Sequence, residues 1–168
     1  MLLFQFFGGP GAGKSTAAAF LYYHLKRLGH SVELVGEPAR HFIYDGRSLD
    51  NQVLLTGLHY DWIKRLEGKV DYAIADQPLA AGLIYGCGKD YSWALNKVIF
   101  ELEHEFSTYN VFIERVAPYT QELRVQTEDE ARALDSTFRR AANPNLSITG
   151  DDVGLEYMRA KVLAHIAK

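Results

Sequence analysis

The residues that carry the most chemistry are Gly8-Gly9-Pro10-Gly11-Ala12-Gly13-Lys14-Ser15, followed by Thr16. They match the spacing G-x-x-x-x-G-K-[ST] in full, between an apolar run and an alanine-rich stretch. Glycines leave backbone N–H groups free to curl around a phosphate that most side chains would block. A helix starting near Ser15 would add its positive dipole end to the same anion. On this pattern Lys14 is expected to reach the β- and γ-phosphates of ATP, and the Ser15 hydroxyl to ligate Mg2+.

Acids at strand ends complete such a site, because ligands of open parallel sheets lie beyond the carboxyl ends of the strands. Glu37 closes the second apolar run in Gly36-Glu37-Pro38-Ala39-Arg40, and Asp76 closes the third in Ala75-Asp76-Gln77-Pro78. An acid placed there can hold a metal through water or accept a proton from an attacking hydroxyl. Asp76 is read as the Mg2+ partner of Ser15 and Glu37 as base or acceptor-orienting group, with Arg40 beside the substrate. The two acids can exchange these roles.

Between 115 and 140 the cations are all arginines, at 115, 124, 132, 139 and 140. Planar guanidinium groups suit bidentate phosphate contacts and charge on a transferring phosphoryl group. Arg115 leaves the fourth strand and Arg124 sits in a polar loop, so both are read as catalytic residues of a lid over about 115–127. Arg132, Arg139 and Arg140 share a helix with Glu128, Asp129, Glu130 and Asp135 and read as surface ion pairs. On the helix 51–66, Gln52, Leu55, His59 and Trp62 fall on one face. Gln52, His59 and Trp62 are read as an acceptor-binding stripe suited to a base or nucleoside, with His41, Phe42 and Tyr44 beside it.

These groups need a scaffold, and the pattern supplies one. Strands are expected at 2–7, 32–36, 72–75, 110–113 and 146–149. Helices are expected at 15–28, 51–66, 79–85, 92–106, 127–142 and 152–167, the fifth opened by a Thr127/Glu130 capping box. Alternation of this kind implies one three-layer α/β/α domain over 1–168, the helices covering both faces of a parallel sheet. The loop at 150–152, after the last strand, is placed near the nucleotide base.

Composition narrows the function classes. The chain has 168 residues, 48% hydrophobic and 23% charged, which is globular in character and argues against a disordered or fibrous protein. Cys87 is the sole cysteine, so an internal disulfide and a cysteine-rich zinc site are excluded. The six histidines show no ligand-spaced cluster. A net charge of −3 argues against a generally basic, phosphate-gripping surface. No apolar run approaches the ~18 residues of a membrane span, and the N-terminus lacks the basic start of a signal peptide. A cytoplasmic location is expected. A guanine-reading Asn/Thr-Lys-x-Asp string is absent, the nearest being Asn96-Lys97-Val98-Ile99. An AAA-type motor normally appends a helical domain, and only one helix is expected after the fifth strand here.

The stretches 7–16, 32–40 and 70–79, and the segment from Pro118-Tyr119 to Ala131, together resemble the short P-loop kinases and ATP-binding proteins of tailed phages. That family is related to the nicotinamide riboside kinase domain and, further off, to thymidylate and deoxynucleoside kinases. The resemblance implies a five-stranded sheet in the order 2-3-1-4-5, Glu37 and Asp76 at the active site, and Arg124 in the lid. The chain departs from the family in having Glu37-Pro38-Ala39-Arg40 for Glu-Tyr-Ala-Lys, Asp76-Gln77-Pro78 for Asp-Ser-Pro, and Leu123 before the lid arginine. Some phage members resemble kinases of 5-hydroxymethyluracil within DNA, whose acceptor would have to be flipped out or single-stranded. The expectation is thus a Mg-ATP-dependent kinase of a nucleoside-type hydroxyl, leaning to hydroxymethyluracil in phage DNA. A free nucleoside or nucleotide is the alternative acceptor. Two other classes compete: an ATP-hydrolysing switch without acceptor, and a DNA-binding accessory that only senses nucleotide.

Overall fold

The first strand, β1 (Leu2–Phe7), sends alternate side chains to opposite faces of a sheet and buries both sets. In the computed structural model, which describes residues 1–116, 118–120 and 125–167, it is the middle strand of five. The others are β2 (Val32–Val35), β3 (Tyr72–Ala75), β4 (Ser107–Glu114) and β5 (Leu146–Thr149). Their order is β2-β3-β1-β4-β5 and every pairing is parallel, as the resemblance implied. Leu2 is in register with Tyr72 on one side and with Ser107 on the other. The fourth strand begins three residues earlier than its apolar pattern, because Ser107, Thr108 and Tyr109 pair with Leu2, Leu3 and Phe4.

The helices among the described residues are α1 (Lys14–Arg27), α2 (Pro38–Tyr44), α3 (Gln52–Lys64), α4 (Ala81–Tyr85), α5 (Ser92–His104) and α6 (Glu128–Ala142), which lie between strands, and α7 (Asp152–Ile166), which follows β5. Phe4 and Phe6 pack with Ile74, Val111, Ile113 and Ile148 under α1 and α7, through Ala17, Leu21, Met158 and Val162. Leu3 and Phe7 face the other way. Leu3 joins Ala73 and Ala75 beneath Ile63, while Phe7 joins Phe112 beneath Phe138 and Ala142. The result is the expected three-layer α/β/α arrangement.

The Thr127 capping box forms as its spacing predicts: the Thr127 side chain accepts from Glu130 N–H and Glu130 returns a bond to Thr127 N–H. Asn51 caps α3 through Leu54 N–H. The α2 helix has no counterpart in the sequence reading. It starts on Pro38, whose fixed φ suits the first helical turn and whose missing N–H leaves nothing unsatisfied there. Among the described residues, no helix is long and apolar enough to cross a membrane.

One polar residue in β1 positions the site. Gln5 is buried on the α3–α6 face, where Oε1 accepts from Leu79 N–H at 3.1 Å and Nε2 faces Asn110 Oδ1 at 3.5 Å. Glu103 on α5 likewise accepts from Ala80 N–H at 3.0 Å, and burial raises its carboxyl above the ordinary range. These two bonds pin the turn from Asp76 to Ala80 onto the sheet edge.

Candidate active site

The strand order reverses at β1, and the segment Gly8–Gly13 leaves its carboxyl end at that switch point. Gly13 takes φ +98 as the residue before α1, a left-handed conformation that glycine adopts at no steric cost. Lys14 folds back over the loop, its Nζ donating to Gly8 O at 2.8 Å and Gly9 O at 3.0 Å. An ammonium has three donors, so one remains for an anion. Burial lowers the Lys14 pKa, and the carboxylates of Glu37, Asp76 and Asp135 oppose that shift.

Residues 10–16 line a cleft of about 730 Å³, together with Glu37, Arg40, Gln52, Thr56, His59, Tyr85 and Gly150. Gly8 and Gly9, the first two residues of the loop, do not line the cleft. Thr16 is exposed at its rim. Glu37 enters the cleft because β2 ends at Val35 and α2 turns away at Pro38. Burial raises its carboxyl pKa, partly offset by the Lys14 ammonium. Asp76 follows β3 directly and is buried.

Ser15 Oγ donates to Asp76 Oδ2 at 3.0 Å, and Arg40 Nη2 donates to Ser15 Oγ at 2.9 Å. The same guanidinium lies 3.9 Å from Asp76 Oδ2, while Asp76 Oδ1 is buried without a partner among the described residues. A hydroxyl bonded to a carboxylate whose other oxygen, Oδ1, is unsatisfied fits Mg2+, which takes few protein oxygens and relies on substrate phosphates for the rest. Among the described residues there is no group of three or more His, Cys, Asp or Glu side chains that could hold a metal ion.

The far wall of the cleft comes from α3 and α4. Gln52, Leu55 and His59 share a face and line it, as their spacing predicts, and Thr56 and Tyr85 join them. His59 is fully buried, its pKa is pushed down to about 4 by burial, and its Nε2 has no partner among the described residues. The ring is therefore neutral near pH 7. Because its folded pKa lies below the ordinary 6.5, the stability tied to it is present above pH 6.5 and lost as pH falls toward 4. That loss is expected to be on the order of 3 kcal/mol. Denaturant unfolding from pH 7 to 4 checks it: the difference between wild type and His59→Gln should shrink across that interval, and parallel curves would contradict it.

Several expected residues sit elsewhere. Trp62 is one turn too far along α3. It packs edge-on against His41 at 5.4 Å beside Leu34, outside the cleft. Phe42 is buried in the core, and Tyr44 alone of the aromatic residues on α2 reaches the cleft. Arg115 is not on a lid surface. Its side chain is 4% exposed and forms a two-pronged pair with Asp135, Nε to Oδ2 at 3.0 Å and Nη2 to Oδ1 at 3.1 Å. The expectation of a catalytic lid residue fails at Arg115 because α6 folds back over it and supplies Asp135. Arg124 lies outside the described residues. Arg132 pairs with Glu128 and Arg139 with Glu114, as surface ion pairs. Gly150 lines the cleft near the loop, while Asp151 caps α7 through Gly154 N–H.

The sequence reading missed Asp135, Thr56 and Tyr85. Asp135 is 126 positions from Gly9, the group it contacts, and no local pattern links them. Thr56 is within reach of the sequence, since it sits on the helix 51–66 read as acceptor-binding, whereas the short helix 79–85 that carries Tyr85 has no motif tying it to the cleft.

No family model matches the chain, and no curated protein matches it in sequence. Among solved structures it is similar to the Mycobacterium tuberculosis APS kinase CysC in complex with AMPPNP and APS. The identity is 18% and the TM-score 0.59, over 99% of this chain and 97% of that one. It is also similar to shikimate kinase from Aquifex aeolicus, at 18% identity and a TM-score of 0.52, over 99% of this chain and 96% of that one. The chain therefore has the fold of the P-loop kinases.

Proposed function

We propose that the protein is a Mg-ATP-dependent kinase that transfers the γ-phosphoryl group to a hydroxyl of a nucleoside-type acceptor. The observation that carries this reading is the juxtaposition of two half-sites in one cleft. Lys14 and Ser15, with Asp76 bonded to Ser15, form a phosphate-and-metal end, and the neutral side chains Gln52, Thr56 and His59 line the same cleft as Glu37. A hydrolase needs only the first half. The second half offers a buried, uncharged hydrogen-bonding surface of the kind that recognises a heterocycle or sugar.

In this reading Lys14 and the loop amides hold the phosphates. Ser15 and Asp76 hold Mg2+, which neutralises charge on the phosphates when bound. The Ser15–Asp76 bond supports giving Asp76 the metal and leaving Glu37 as the base. Transfer then breaks the bond between the γ-phosphorus and the bridging oxygen of ADP and forms one to the acceptor oxygen. The hydroxyl proton passes to the Glu37 carboxylate. The neighbouring fold members named above act on APS or shikimate by their names, so the fold supports phosphoryl transfer to small acceptors without fixing which.

For the acceptor, the resemblance to phage kinases favours the 5-hydroxymethyl group of hydroxymethyluracil in DNA. A free nucleoside is supported by a separate observation: Lys89, which lines the cleft, is paired with Asp50 at 3.1 Å. Duplex affinity depends on neutralising phosphates. A panel of nucleosides, nucleotides, nicotinamide riboside, plain DNA and hydroxymethyluracil DNA with γ-labelled ATP tests both readings. Label only in the modified DNA supports the first and label on a free nucleoside the second. Label on none of them would overturn the proposal.

A further inference from the structure

The peptide unit between Gly8 and Gly9 is gripped on both sides. Its N–H donates to Asp135 Oδ1 at 2.9 Å, and its carbonyl, Gly8 O, accepts from Lys14 Nζ at 2.8 Å. In a trans peptide the N–H and C=O point in opposite directions. A carboxylate that fixes the first therefore aims the second. Gly9 O is held as well, by Lys14 Nζ at 3.0 Å and by Ala12 N–H at 3.2 Å. The carboxylate is itself fixed by the two-pronged Arg115 pair at the end of β4.

Close approach explains the glycine at position 9. A Cβ there would fall on Asp135 Oδ1 and within 2.7 Å of Ala131 O, both on α6. The helix is thus docked onto the back of the phosphate loop, with Phe138 completing the contact 5.8 Å below Lys14 Nζ. Arg115 Nη1 remains buried without a partner among the described residues, so the guanidinium depends on Asp135 for its compensation.

From this geometry we infer that Asp135 is a positioning residue of the phosphate loop: it sets the Gly8–Gly9 peptide so that both carbonyls orient the Lys14 ammonium toward the phosphate. It touches no substrate and acts through Gly9. Its consequence for catalysis rests on the kinase reading above, but the positioning itself does not.

Two neutral pairs separate the peptide contact from the ion pair. Asp135→Asn with Arg115→Gln keeps an oxygen for Gly9 N–H and lets the two amides bond to each other. Asp135→Ala with Arg115→Gln removes that oxygen. Acylation of Lys14 by a small reagent, without nucleotide, reads its environment, and calorimetry reads Mg-ATP affinity. The alanine pair is expected to change the Lys14 acylation rate several-fold and weaken Mg-ATP about tenfold, the loss of one charge-assisted hydrogen bond. The asparagine pair is expected to rescue both. Hydrogen exchange at the Gly9 amide in the unaltered protein adds a measurement that needs no variant, and the amide is expected to be protected. Equal behaviour of the two pairs, or a fast-exchanging Gly9, would overturn the inference. If the pairs differ in Lys14 reactivity while the unaltered protein binds no Mg-ATP, the kinase reading falls and the positioning role stands.

Discussion

Replacing Lys14 with methionine is expected to lower phosphoryl transfer by about 10³-fold, the scale for removing a preorganised charge at a developing anion. That corresponds to roughly 4 kcal/mol of lost transition-state stabilisation. Methionine preserves the length of the side chain but has no donor for Gly8 O, Gly9 O or a phosphate. The two carbonyls at 2.8 and 3.0 Å hold the ammonium in place before substrate arrives, so its charge acts without reorganisation. The lysine also pulls the Glu37 carboxyl down against the effect of burial. Its removal should therefore leave Glu37 still harder to ionise and move the acid limb of any residual activity to higher pH. Single-turnover transfer from γ-labelled ATP measures the loss. A rate within tenfold of the unaltered protein would contradict the role given to Lys14.

Glu37→Gln is expected to cost about 10²–10⁴-fold in transfer, the usual range for a general base, while Mg-ATP affinity changes little. The glutamine is nearly isosteric and still fills the turn between β2 and α2, so the fold should be undisturbed. Burial raises the Glu37 pKa. The protonated, inactive form therefore persists above the pH at which an ordinary glutamate, near 4.3, has ionised. Activity should rise with pH through a limb displaced upward from that value and fall again on acidification. The limb should be missing from the residual rate of the variant. A nucleotide switch that hydrolyses ATP without an acceptor would lose little on this substitution, so unchanged ADP formation in the variant would favour that class.

The parts of the site legible in sequence are those made by local chain geometry. Strand, glycine loop and helix follow one another within 2–27, so the register of Lys14 and Ser15 is fixed by spacing alone. Glu37 and Asp76 are legible because a parallel sheet brings its strand ends together on one edge, whatever the loops do. Gln52 and His59 follow from helical period. Trp62 fails on the same helix because sharing a face does not mean sharing a depth: ten residues along α3, the axis has advanced about 15 Å past Gln52. Helix α2 was hidden by its shortness and by Pro38, which reads first as a turn residue and only secondarily as a helix start. The pairing of Arg115 with Asp135 and of Asp135 with Gly9 depends on how α6 returns across β4. That is a long-range packing outcome no local pattern encodes. An arginine at a strand end beside a lid segment carries the same sequence signal whether it swings over substrate or is buried behind the loop.

The central claim is that this cleft passes a phosphoryl group to an acceptor rather than to water. The direct measurement is the rate of ADP formation from Mg-ATP with and without the acceptor panel, with inorganic phosphate counted in parallel. ADP formation that depends on one acceptor, matched by phosphorylated product and with little inorganic phosphate, is the expected result. ADP formed at the same rate without any acceptor, and matched by inorganic phosphate, would contradict it.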